Sequence, residues 1–159
     1  MSNSNIKQMT LALLLAVGAM TTVHADTKGP LIAPLPKYQQ ECAACHMAYP
    51  PGLLPASSWQ RLMSTLNQHY GTDASLDDAS VREIGGWLKA NAGSYQRASE
   101  EPPQDRITKS AWFLREHNER EVPPAVWKRA SVGSAANCAA CHSKAAQGSF
   151  SEREIKIPR

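Results

Sequence analysis

The sequence predicts a mainly α chain with much irregular structure, built as two small lobes. Three observations carry this. Eleven Pro and nine Gly in 159 residues favour long loops and short helices. Few β-branched runs alternate with polar residues, which argues against an all-β fold. Apolar residues make up 42% and charged residues 19%, a globular rather than a disordered composition.

The chain opens on a targeting segment. Met1–Gln8 is polar and carries Lys7, Leu11–Met20 is apolar, and Val23-His24-Ala25 ends in the small residue a signal peptidase needs before Asp26. This is the layout of a secretory signal peptide over residues 1–25, cleaved after Ala25. The apolar stretch is about half of the roughly 20 residues that span a bilayer, so an uncleaved anchor is the weaker reading. The expected location is the periplasm, an oxidising compartment, with no stable membrane insertion after cleavage. Residues 26–159 suffice for one modest core and are too few for a large enzyme with a substrate domain. Without Lys7, 16 basic residues face 14 acidic ones, a net +2. No basic block stands out, so nucleic acid is not an expected partner.

Two pentapeptides dominate the remainder, Cys42-Ala43-Ala44-Cys45-His46 and Cys138-Ala139-Ala140-Cys141-His142. Cys-x-x-Cys-His is the attachment signature of a c-type haem. Two thiols so spaced on a helical turn match the two vinyl groups on one porphyrin edge, and the adjacent His falls under the iron. Two c-type haems are therefore expected, bound through Cys42, Cys45, Cys138 and Cys141, with His46 and His142 as proximal ligands. Other readings explain less. A zinc site from four thiolates does not require a His after each pair. A thioredoxin-type motif needs a strand-to-helix junction, and none is visible. Two structural disulfides leave the repeated His unexplained.

A six-coordinate haem iron needs a second axial donor, usually His or Met. Residues 26–159 hold four histidines, His46, His69, His117 and His142, and two methionines, Met47 and Met63. Met47 adjoins His46 and cannot reach the opposite face. The second donors are thus His69 and His117, with Met63 as a competitor. The simplest pairing is local, His46 with His69 and His142 with His117. Sequence alone leaves a crossed pairing open.

In chain order, residues 26–40 form a Pro-containing lead-in. Tyr49–Pro55, with Pro50, Pro51 and Pro55, cannot be a regular helix. It is expected to wrap the proximal side, where a backbone carbonyl can accept the His N–H. Ser58–Tyr70 reads as an amphipathic helix, capped by Ser57 or Ser58 and ended by Gly71. Leu62, Leu66 and His69 share one face, extended by Trp59 and Met63. Leu76–Asn91 reads as a second helix, capped by Ser75, with Asp77 and Asp78 in its first turn and a stripe of Val81, Ile84 and Leu88. Gly85-Gly86 inside it costs about 1 kcal/mol per Gly against Ala, and marks either a close approach or a kink. The polar, Pro-containing segment 99–105 reads as a linker between a lobe of residues 26–98 and one of residues 106–159. Thr108–His117 reads as a short helix capped by Thr108, with Phe113 and His117 at i, i+4. No His or Met follows the second motif, so its second ligand comes from upstream. Arg61, Arg115 and Arg129 are candidate partners for haem propionates.

Taken together, Glu41-Cys-x-x-Cys-His46, Ala48-Tyr49-Pro50-Pro51, Leu53-Leu54-Pro55, Ser58-Trp59 and His69-Tyr70-Gly71 carry a resemblance. Arg106-Ile107-Thr108, Trp112-Phe113, Glu116-His117, Asn137 before the second motif, and the Gly148/Phe150 tail continue it. The sequence resembles the bacterial dihaem cytochrome c family over nearly all of residues 26–159. The resemblance implies two covalent haems, each with two axial histidines. It implies a small helical cytochrome c-like N-terminal lobe and a short, loop-rich C-terminal haem lobe. It also implies donation to a small oxygen-binding monohaem cytochrome, with a membrane cytochrome b as a candidate electron source.

A saturated His/His iron passes electrons and does not readily bind substrate, and it favours a lower potential than His/Met. The expected function is therefore a periplasmic, low-potential electron carrier and not an enzyme. One alternative is a gas- or peroxide-reactive protein with an open or labile distal site, although dihaem peroxidases are much longer chains. A four-helix-bundle cytochrome needs long helices that residues 106–137 cannot supply. A third alternative is the dihaem subunit of a periplasmic reductase.

Overall fold

The structure, a computed structural model, describes residues 32–93, 98 and 100–159. The predicted signal peptide and its cleavage site lie outside the described residues. Among the described residues five short α-helices follow one another: α1 (Pro36–Cys42), α2 (Ala56–Ser64), α3 (Asp78–Asn91), α4 (Ala111–Glu116) and α5 (Pro124–Trp127). Single 3-10 turns and irregular loops join them. Among the described residues there is no strand, only the isolated bridges His69–Thr72 and His142–Ile155. The mainly helical, loop-rich class expected from the prolines and glycines is the one observed. Among the described residues no helix is long and apolar enough to cross a membrane.

The lead-in contains a helix the sequence did not announce. Pro36 suits the first turn of α1, where no N–H is needed, but Leu35 before it offers no capping side chain. Packing holds α1 instead. Tyr38 is buried, its ring centroid lies 5.1 Å from that of Trp87, and its hydroxyl donates to the Tyr49 carbonyl at 2.7 Å.

α2 is shorter than the Ser58–Tyr70 helix expected, and His69 lies beyond it. It starts after Pro55 with no side-chain cap, so neither Ser57 nor Ser58 serves that role. It stops at Ser64 because Ser64 and Thr65 both turn their hydroxyls back on the Arg61 carbonyl, at 2.8 and 2.9 Å. That carbonyl is thereby diverted from continuing the helical ladder. A 3-10 turn, Leu66–Gln68, then leads to His69.

α3 begins two residues later than expected, and its cap is Asp77 rather than Ser75. One Asp77 carboxylate oxygen accepts the Ala79 and Ser80 N–H groups, both at 3.0 Å. The other oxygen accepts the Ser80 hydroxyl at 2.6 Å. Ser75 spends its hydroxyl on Asp73. Ile84 and Leu88 are 0% and 1% exposed, while Val81 at the edge of the stripe is half-buried. The helix runs unbroken through Gly85-Gly86. A Cβ at Gly85 would meet Met63 at 3.8 Å, so this is where α2 and α3 approach; one at Gly86 would meet open space. Met63 packs into this contact.

Tyr38, Ala48, Leu54, Trp59, Ile84 and Leu88 form the core. The Trp59 indole N–H donates to the Pro51 carbonyl at 2.7 Å, which ties the proline-rich loop to α2. Ile107, from beyond the predicted linker, also packs against this core. Farther on, Ser110 rather than Thr108 caps α4, accepting the Phe113 N–H at 3.4 Å, and Ile107–Lys109 forms a separate 3-10 turn. Phe113, Val126, Val132 and Ala145 are the buried apolar residues of this half.

Two substitutions test the packing by denaturant unfolding of the purified protein. Ile84→Ala is expected to cost about 2–5 kcal/mol through the cavity it opens. Gly86→Ala is expected to stabilise by up to about 1 kcal/mol, since its methyl meets no neighbour. A destabilised Gly86→Ala protein would contradict the open space beside α3.

Candidate functional site

The four histidines form two pairs. The ring centroids of His46 and His69 are 6.2 Å apart with planes 25° apart; those of His117 and His142 are 6.1 Å apart with planes at 69°. Each ring thus faces the histidine of its own half of the chain. Two imidazoles ligating one metal ion from opposite sides at ~2.0 Å would place their centroids about 6.3 Å apart. The residues present therefore fit an iron between each pair. His46 follows α1 through the first Cys-x-x-Cys turn, and His142 follows the 3-10 turn Cys138–Ala140.

Two rings are fixed by backbone carbonyls. His46 Nδ1 lies 2.7 Å from the Met47 oxygen, and His117 Nδ1 lies 3.1 Å from the Phe113 oxygen. A carbonyl has no proton to give, so Nδ1–H is the donor in each. A neutral ring then keeps Nε2 free as a ligand. The acceptor for His46 is the carbonyl of its own neighbour, not one of the Tyr49–Pro55 loop as expected. His69 Nδ1 and His142 Nδ1 are buried without a partner. Burial pushes the pKa of both rings down, and the facing histidine of each pair adds to the effect. Neutral imidazole is the form that ligates metal.

His69 owes its place to a tight reversal. Tyr70 and Gly71 both have positive φ, 51° and 95°, and the Thr72 N–H donates to the His69 carbonyl at 3.1 Å. The signs match a type I′ turn, in which Gly is at ease and a tyrosine is strained. The segment after residue 100 holds Tyr70 there. The Tyr70 hydroxyl donates to the Gln104 and Asp105 carbonyls at 3.1 and 3.0 Å, and the Arg106 guanidinium sits 4.0 Å over its ring. Gln104 and Asp105 are themselves left-handed. Arg61 clamps them through both Asp105 oxygens, at 3.0 and 2.6 Å, and through Glu101 at 2.8 Å. Arg61, a candidate propionate partner from sequence, is thus engaged in this clamp. Arg115 pairs with Glu116, and Arg129 donates to the Pro158 carbonyl.

At the second pair, His117 is the first residue past α4 and stacks on Phe113 at 4.0 Å, as the i, i+4 spacing predicts. The C-terminal segment braces His142. The Lys156 N–H donates to the Cys141 carbonyl at 2.9 Å beside the His142–Ile155 bridge, and Phe150 meets the His142 ring edge-on at 5.3 Å.

None of the four cysteines is joined to another in a disulfide. Burial pushes Cys42 up to about 11 and raises Cys138 and Cys141 as well. A thioredoxin-type motif needs the opposite shift. Among the described residues no three or more His, Cys, Asp and Glu side chains gather as a metal cluster, which leaves the four-thiolate zinc reading without support. Sequence reasoning named two tyrosines within the resemblance but gave them no role at the site. Tyr49 lies against His46, with centroids 4.9 Å apart and planes at 28°, and Tyr70 lies 4.9 Å from His69. Their signals were closeness in sequence to a candidate ligand, His46 or His69, and their place in the resemblance.

A family model described as dihaem cytochrome c matches residues 38–150. A dihaem cytochrome c structure from Rhodobacter sphaeroides is 46% identical, with a TM-score of 0.65, covering 76% of this chain and 100% of that one. A second structure of a dihaem cytochrome c from Rhodobacter sphaeroides is 44% identical, with a TM-score of 0.67, covering 76% and 99%. An X-ray structure of a dihaem type c cytochrome from Shewanella baltica OS155 is 36% identical, with a TM-score of 0.67, covering 77% and 92%. No curated protein matches.

The clamp on the His69 turn is pH-dependent. Hydrogen bonds from Arg61 hold the Asp105 carboxyl below its ordinary range. Its stabilisation is present above the ordinary aspartate value of about 4 and is lost as pH falls through the lower folded value. Asp105→Asn is expected to cost about 0.5–1 kcal/mol at neutral pH, discounted for exposure, and progressively less as pH falls below about 4. Thermal unfolding of both proteins across this range checks it, and a gap that persists in acid would refute the pairing.

Proposed function

The chain belongs to the dihaem cytochrome c family, whose two c-type haems serve electron transfer, and from that premise we propose that both irons are bis-histidine ligated, His46 with His69 and His142 with His117. The observation that carries this reading is the centroid separation of 6.2 and 6.1 Å within the two pairs. Cys42 and Cys45 anchor one haem by thioether bonds, and Cys138 and Cys141 anchor the other. Each haem, when bound, supplies a one-electron iron couple. The chain's own residues do the rest. The four histidines would hold the two irons and leave no position open to substrate, and Met47 and Phe113 orient one ring of each pair through its Nδ1–H. His/His ligation favours a low potential.

We further assign the protein to the periplasm, exported by residues 1–25 and cleaved after Ala25. Residues 26–98 and 106–159 form its two haem lobes, joined by 99–105. The redox partners are a small oxygen-binding monohaem cytochrome as acceptor and a membrane cytochrome b as donor. A gas- or peroxide-reactive role requires an axial ligand to leave its iron. His69 is the weaker-held ring of the first pair, since its Nδ1 has no partner, but the Tyr70 clamp opposes its departure.

Visible spectra of the haem-loaded protein, oxidised and reduced, test the ligation. Two low-spin haems, no methionine-to-iron band and no response to carbon monoxide are expected. A carbon monoxide shift at one haem would replace the carrier reading with the gas-reactive one. The ring planes give a second test by low-temperature electron paramagnetic resonance of the oxidised protein. The near-parallel His46/His69 pair should give a rhombic low-spin signal, and the steeply crossed His117/His142 pair a separate signal of large maximal g. His69→Ala should remove the first and His117→Ala the second.

A further inference from the structure

We propose that Tyr49 couples the two haem sites: its ring lies against His46, and its hydroxyl holds the backbone that leads into Cys138. The inference rests on the bis-histidine reading above. The Tyr49 and His46 rings stack with planes 28° apart. At its other end the Tyr49 hydroxyl donates to the Ala136 carbonyl at 2.8 Å, a bond spanning 87 residues of sequence. The same carbonyl faces the Cys138 thiol at 3.7 Å, two residues on. One side chain therefore touches an axial ligand of the first site and the attachment turn of the second.

Tyr49 is itself held in place. Its carbonyl accepts the Tyr38 hydroxyl from the core, and Pro50 and Pro51 stiffen the chain that follows. A tyrosine hydroxyl ordinarily only needs some partner when half-buried. Stacking on His46 would be served as well by phenylalanine, so the hydroxyl's distinct contribution is the bond to the second site. It gives a route from His46 across the ring contact to Tyr49, through the hydrogen bond to the Ala136 carbonyl, and along the backbone of Asn137 to the Cys138 sulfur. In the step it serves, one electron leaves a ferrous centre, which becomes ferric, and reduces the ferric centre of the other site. No proton moves, and Tyr49 is neither oxidised nor reduced.

The test uses the haem-loaded full chain, with Tyr49→Phe, which keeps the ring, and Tyr49→Leu, which removes it. Substoichiometric photoreduction followed by transient absorption reads the rate at which the electron equilibrates between the haems. Tyr49→Phe, which keeps the ring on His46, should slow it about fivefold with both midpoint potentials and both paramagnetic resonance signals unchanged; Tyr49→Leu, which also removes the ring contact, should slow it further. Rates within about twofold of the parent in both variants would overturn the proposal. So would a slowing fully explained by shifted potentials, or a Tyr49→Phe protein that loses the second haem, because Tyr49 would then serve assembly and not electron exchange. Failure of the bis-histidine reading shows separately, as carbon monoxide binding or a high-spin signal in the unsubstituted protein.

Discussion

Two imidazole rings that serve one iron must face each other about 6 Å apart, and a chain of short helices and loops does not hold such a spacing by local preference alone. Much of this fold can be read as bracing for that distance, applied twice and by different means. At the first pair the brace is tertiary. The core around Trp59, Ile84 and Leu88 fixes α2 and α3, Trp59 pins the proline loop, and a strained turn aims His69 back at His46. At the second pair the brace is local on one side and terminal on the other. Phe113 stacks on His117 from within α4, and the chain's last residues hold the turn that carries His142.

The two sites share a pattern of unequal anchoring. Each pair has one ring hydrogen-bonded to a backbone carbonyl and one whose Nδ1 is buried alone. In the first pair the anchored ring belongs to the cysteine motif. In the second it belongs to the partner helix. A hydrogen-bonded imidazole is the more basic ligand, so in the proposed ligation the anchoring would tune each iron along with the ring-plane angle. The pentapeptides are identical, yet the two environments are not, and their difference lies outside the repeated residues.

What could be read from the sequence follows from the range of the forces involved. The cysteine motifs are legible because thioether chemistry fixes a spacing of two residues. Counting histidines makes His69 and His117 the candidate second donors and a local pairing the simplest, and the folded chain sets the rings of those same two pairs about 6 Å apart. Phe113 and His117 are legible as i, i+4 neighbours for the same local reason. The end of α2 is not, since hydroxyls of Ser64 and Thr65 compete for a carbonyl that periodicity assigns to the helix. α1 is hidden because packing of Tyr38, not a cap, stabilises it. The Tyr49–Ala136 bond is beyond any local pattern, as its partners are 87 residues apart.

Residues 100–106 have the polar, Pro-containing composition of a spacer whose length drifts freely over evolutionary time. Their geometry makes them a gauge. Arg61 grips Asp105 from one side, while Tyr70 reads the carbonyls of Gln104 and Asp105 from the other. One inserted or deleted residue would put these grips out of step with each other and release the turn that aims His69. The segment with the composition of a loose tether is thereby among the least tolerant of a change in length, and a cytochrome grafted or recombined at this point would have to keep its register residue for residue.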